Sequence, residues 1–267
     1  MHTIRLSMES RKSIFRIETL SEEINPDWAI VFRSCFKDKL VNHLESKERG
    51  KNHQLIRGAS NQWLQHSAMQ ASLYLPLVSN DERIREMIVD LLKSHFEFIN
   101  KSYSSLNPSK NSLSHSEMYR LAYPLQLAYH FYLRTEEISQ FSLLFSSASS
   151  RILDVWSAGA DSSDKEVITE KELMMEVIQY MEEIFSNITR HTDLKNQALN
   201  LKKLLDNHDE IFAPENYELF HRGVSAATYR EKEHVLNCLV KEIKEEKAKD
   251  SITELLFCQL LLNYFKV

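Results

Sequence analysis

Two Glu-x-x-His pairs, Glu218 with His221 and Glu231 with His234, come nearest in this chain to the spacing of a reactive centre. Carboxylate and imidazole three residues apart point to one side of a helix, and two such pairs on facing helices can hold a di-metal site. Here only a short turn around Gly223 separates the pairs, and the second runs into the charged stretch KEIKEEKAK. The helix bearing Glu231 and His234 would run away from that turn for roughly 9 to 14 Å before they appear. A solvated surface cluster is therefore the simpler expectation, and no cofactor is expected. A second set, Tyr119, Tyr123, His130 and Arg134, with Arg120 beside them, follows an aromatic-rich helix and could line a small-molecule pocket. Tyrosine and histidine in a nearly all-apolar helix also serve as core residues with a satisfied polar tip.

Other chemistries lack their residues. No G-x-S-x-G elbow, H-E-x-x-H pair, C-x-x-C pair or Walker loop is present. The 267 residues carry a net charge of -5 with acids and bases mixed along the chain, which gives no broad face for nucleic acid. Cys35, Cys238 and Cys258 are odd in number and flanked by apolar helical positions, so buried thiols in a reducing, cytoplasmic setting are expected, with no disulfide. No run reaches the roughly 20 apolar residues of a membrane span.

The elements that must position these groups read as helices. Only 4 glycines and 5 prolines occur, so turns needing positive φ are few. Ser114 to Trp156 is the expected central layer: Met118, Leu121, Leu125 and Tyr129 recur on one side, while Tyr123, Leu127, His130 and Phe131 fall on the other. Pro124 predicts a kink there. Thr135, followed by Glu136 and Glu137, reads as the start of a second helix that carries Ile138, Phe141, Phe145, Ile152 and Trp156, with Gly159 as its stop. Pro26 opens an earlier helix with the stripe Trp28, Val31, Phe32, Cys35, Phe36, Leu40 and Leu44. Asn80 reads as the cap of another, striped by Ile84, Met87, Ile88, Leu91, Leu92, His95, Phe96 and Ile99. Thr169 with Glu172 forms a capping box before Leu173 and its followers. Ahead of Ile17, the alternation of Ile4, Leu6 and Met8 reads as a short extended arm.

Together these predict an all-α fold of about nine helices in an irregular multi-helix bundle, with two helical lobes or a degenerate helical solenoid as its variants. The expected division is an arm over 1–25, a lobe over 26–157 holding the central pair, and a C-terminal lobe over 164–267 packed on it, or all of it as one domain. Missing catalytic signatures and abundant amphipathic faces point to a soluble, non-enzymatic regulator, inhibitor or adaptor. Its partner would be another protein, or a second copy of itself, with neither nucleic acid nor membrane. The alternative is a helical-bundle enzyme using Glu218, His221, Glu231 and His234 on a metal, or a pocket lined by Tyr123, His130 and Arg134.

Overall fold

The computed structural model describes residues 6–48, 62–103, 115–160, 171–206, 229–245 and 251–266. Among them there is no strand, so the all-α expectation holds. The helices are α1 (Met8–Ile24), α2 (Pro26–Phe32), α3 (Lys39–Glu48), α4 (Gln62–Ser72), α5 (Glu82–Ser102), α6 (His115–Arg120) and α7 (Ala122–Thr135), then α8 (Leu143–Ala160), α9 (Lys171–Glu183), α10 (Thr192–Asp206), α11 (Tyr229–Lys244) and α12 (Ser251–Tyr264). Two π-helical turns, Arg33–Asp38 and Ile184–Ile188, prolong α2 and α9.

The chain groups into two compact units that interleave in sequence rather than dividing at one point. Unit 1 takes 1–57, 69–87 and 214–267, and unit 2 takes 58–68 and 88–213.

Unit 1 opens with a helix where an extended arm was expected. The Ser7 side chain accepts a hydrogen bond from the Ser10 amide as an N-cap, and Ser10, Ile14, Ile17 and Ser21 form the buried face of α1. Serine at two of those four positions hides the helical period, because only Ile14 and Ile17 register as apolar. Asn25 then caps α2 by accepting from the Asp27 amide, with Pro26 at the first helical position as expected. The whole stripe from Trp28 to Leu44 is buried. Trp28 meets the Tyr264 ring edge-on at 5.6 Å and donates through Nε1 to Asn237 at 2.9 Å. Cys35 and Cys258 are buried, with their thiols in hydrogen-bonding reach, whereas Cys238 is exposed and corrects the expectation of three buried thiols. On α11 the buried residues Leu236, Leu239 and Val240 define the inner face, and position 238 falls outside it. Asp81 rather than Asn80 caps α5: its carboxylate accepts from the Arg83 amide at 3.2 Å and from the Ser7 amide at 2.7 Å.

Unit 2 is built on the central stretch. Pro124 lacks an N–H, so the Arg120 carbonyl loses its helical donor, and the chain breaks at Leu121 into α6 and α7. Leu121, Ala122, Leu125, Leu127, Ala128 and Phe131 are buried. At the far end Glu136 adopts φ 56° and terminates α7. Helix α8 therefore starts at Leu143, not after Thr135, and Ile138 is exposed. It also runs through Gly159 to Ala160. Glycine serves close approach there, because a Cβ would lie 2.6 Å from Met118 Sδ. The core gathers Phe145 with Phe96, Phe141 and Phe185. Trp156 Nε1 donates to the Met118 carbonyl at 2.9 Å. The proposed capping box begins at Thr169, outside the described residues.

Candidate functional site

Three of the residues singled out in the sequence share a stripe of α7. Tyr123, His130 and Arg134 stand seven and then four residues apart, which places them on one helical face over roughly 16 Å. Tyr123 and His130 are half-buried, and Arg134 is exposed at the end of the helix. Each of the first two is held by a partner distant in sequence.

At the N-terminal end, Gln65 of α4 is buried and donates through Nε2 to the Tyr123 hydroxyl at 3.1 Å. Tyr119, across the break on α6, meets the Tyr123 ring edge-on at 6.5 Å, and the Arg120 guanidinium stands 5.8 Å from the Tyr119 ring centroid. The Arg120 Nε is buried and has no hydrogen-bond partner among the described residues. The opposite side of α4 is pinned to α5. Trp63 packs on His95 at 4.7 Å and on Phe98 at 5.3 Å. The Ser67 hydroxyl donates to the Trp63 carbonyl at 2.5 Å, so its 2.7 Å contact with His95 is one that the imidazole Nε2 donates.

The other end carries a hydrogen-bonded relay. The Tyr180 hydroxyl of α9 donates to Glu176, one helical turn before it, and lies 3.3 Å from His130 Nε2. A hydroxyl has one proton to give, so His130 donates to Tyr180 and Tyr180 to Glu176. Tyr129 stacks on Tyr180 at 4.1 Å and donates to Glu183 at 2.5 Å. Burial is the largest cause that lowers the His130 pKa below the ordinary histidine value; Glu176 opposes it and Arg134 adds to it. Burial, followed by the Glu183 hydrogen bond, pushes Tyr129 up to about 12. Burial and then the Glu176 bond likewise raise Tyr180. The stripe thus presents a neutral imidazole and phenolic hydroxyls around neutral pH, with the half-buried Glu176 side chain beside them.

The sequence had not marked Gln65, Tyr180 or Glu176. A weak signal existed: Glu176 and Tyr180 stand four apart on a strongly amphipathic helix, on its polar edge. Of the metal candidates, Glu218 and His221 lie outside the described residues. Glu231 and His234 are exposed on α11, in unit 1. His234 faces Cys238 at 3.8 Å. Among the described residues no group of three or more His, Cys, Asp or Glu could hold a metal ion. None of the described helices is long and apolar enough to cross a membrane.

A family model for metal-independent alpha-mannosidases (GH125) matches residues 25–119, from the N-cap of α2 to Tyr119. No curated protein matches the chain by sequence. A solved structure of a metal-independent alpha-mannosidase from Streptococcus pneumoniae, in a non-productive complex with alpha-1,6-mannobiose, superimposes with a TM-score of 0.71 at 16% identity. The superposition covers 99% of this chain and 100% of that one, so the two share a fold. The family match corrects the expectation of a non-catalytic regulator, inhibitor or adaptor, since the matching model describes a glycoside hydrolase family. That expectation rested on missing short motifs, and glycoside hydrolysis needs none: two separated carboxylates and a sugar-shaped surface suffice.

Proposed function

We propose that this chain is a glycoside hydrolase that cleaves α-linked mannosides without a metal. The observation that carries the proposal is the family match over residues 25–119, supported by the full-length likeness in fold. The α7 stripe is chemically suited to it. Tyr119 and Tyr123 offer ring faces to the C–H surfaces of a sugar, while Arg120 and His130 offer polar groups to its hydroxyls and Gln65 holds the Tyr123 hydroxyl in place. Hydrolysis of a glycosidic bond calls for a pair of carboxylates. Glu176 is the carboxylate that this stripe engages, and its hydrogen bond from Tyr180 fixes its orientation, which suits a base that takes the proton from an attacking water.

The test is release of mannose from alpha-1,6-mannobiose by the purified full chain, with and without a strong chelator. Release at the same rate in both conditions is expected. No release by folded protein would overturn the proposal, and release abolished by the chelator would overturn its metal-independence.

A further inference from the structure

Unit 1 holds a pocket that the mannoside reading does not use. It lies along α1 at the edge of its buried face, with a volume of about 330 Å³. Arg11, Ile14, Phe15 and Glu18 line it at the three-and-four spacing that keeps side chains on one helical face. Lys37, in the first π-helical turn, and Val41 of α3 stand opposite, and Leu6 completes the lining just ahead of the α1 cap. A volume of this order fits a small molecule and is too small for a docked helix.

The lining has two characters. Ile14 and Leu6 are buried, but Phe15 is 69% exposed, so the fold leaves a whole aromatic ring uncovered beside an apolar wall. The charges are unbalanced in one direction. The lining holds two cations, Arg11 and Lys37, against the one carboxylate of Glu18, which accepts from Lys37 at 3.2 Å and from Arg33, outside the pocket, at 2.6 Å. Arg33 and Lys37 hold the Glu18 pKa below the usual carboxylate value against burial, the largest single cause, which acts the other way. The Arg11 guanidinium makes no ion pair or hydrogen bond with any described residue. A neutral sugar would satisfy neither the surplus positive charge nor the apolar wall.

We propose that this pocket binds a small, free amphiphilic carboxylate, with its aliphatic or aromatic body on Ile14, Phe15 and Val41 and its carboxylate on Arg11. The planar guanidinium matches a carboxylate through two parallel hydrogen bonds, and Lys37 adds long-range attraction. This site stands apart from the α7 stripe in composition and in the residues that build it, so its test is independent of the mannoside assay.

The experiment is displacement of 8-anilinonaphthalene-1-sulfonate, an aromatic anion whose fluorescence rises on apolar contact, from the full chain by sodium decanoate. One-to-one displacement by decanoate but not by octanol is expected. Affinity should fall by about tenfold or more in Arg11→Glu, with the melting temperature unchanged because the exposed Arg11 side chain makes no ion pair or hydrogen bond with a described residue. Phe15→Ser should weaken it as well. Unchanged affinity in Arg11→Glu, equal displacement by octanol, or no binding below about 1 mM decanoate would each overturn the proposal. Binding to phosphatidylglycerol vesicles without binding to free decanoate would also overturn it, by assigning the patch to a lipid surface.

Discussion

Truncating Phe145 to alanine tests the packing on which the α7 stripe rests. Phe145 has 0% exposure and meets Phe141 at 5.0 Å, Phe96 at 5.3 Å and Phe185 at 6.0 Å. Removing a buried phenyl group costs about 3 to 5 kcal/mol, the transfer term plus the cavity term. Two observations place Phe145→Ala near the top of that range. The aromatic pairs add about 0.5 to 1.5 kcal/mol each beyond area burial. The site also cannot collapse easily. Asn100 of α5 donates to the Leu144 carbonyl at 3.0 Å and accepts from Ser147 at 2.8 Å, which fixes α8 beside the cavity. A cost of about 4 to 5 kcal/mol in a chain of this size lowers the melting temperature by about 10 to 15 °C. Differential scanning calorimetry is the assay of choice, because two compact units need not melt in one transition. Phe145→Leu keeps most of the volume and should lose less than half as much. A Phe145→Ala variant melting within about 3 °C of wild type would refute the reasoning that this cluster is the core of unit 2.

Three further outcomes follow from local chemistry. Burial, and then the positive charge of Lys39, lower the pKa of His43 from 6.5 to about 4. Its neutral form is thus favoured in the folded chain, so stability is fully present above pH 6.5 and falls as the pH drops toward 4, by on the order of 3 kcal/mol; urea midpoints across that window should flatten in His43→Gln, and an unchanged slope would count against the assignment. Asp81→Ala removes the cap of α5 together with the Ser7 amide contact and should cost about 1 to 2 kcal/mol, seen as a lower urea midpoint, while Asn80→Ala should cost little. Tyr123→Phe deletes the hydrogen bond from Gln65 and should cost about 1 kcal/mol while raising KM for mannobiose; an unaffected KM would remove Tyr123 from the sugar surface.

The sequence revealed helices wherever burial follows a long stripe of apolar residues, as from Trp28 to Leu44 and, with only His95 interrupting it, from Ile84 to Ile99. It misled where half of a buried face is polar. In α1, Ser10 and Ser21 are fully buried, and Ser21 satisfies itself by donating to the Ile17 carbonyl at 2.7 Å. The start of α8 was misplaced because Thr135 resembles an N-cap but instead donates to the Phe131 carbonyl at 2.8 Å, closing α7. In the candidate site, Tyr123, His130 and Arg134 were legible as one face of a helix. Their partners were not: Gln65 and Tyr180 stand 58 and 50 residues away in sequence, and no periodicity reports such a contact. The interleaved units have the same cause, since contacts between the first and last segments leave no mark on local composition. The proposed glycosidase function left no mark in the sequence for a different reason. A glycosidase site is assembled from scattered carboxylates and rings, so a search for short catalytic motifs passes over it.

The measurement that bears most directly on the mannoside proposal is the rate of alpha-1,6-mannobiose cleavage followed by proton NMR of the anomeric signals, in wild type and in Glu176→Gln. The proposal predicts cleavage by wild type in the presence of chelator. It also predicts a fall in kcat of about a hundredfold or more in Glu176→Gln with the melting temperature preserved. An intact disaccharide after prolonged incubation with folded wild type would contradict the activity, and full activity in Glu176→Gln would contradict the placement of the site on α7 and α9.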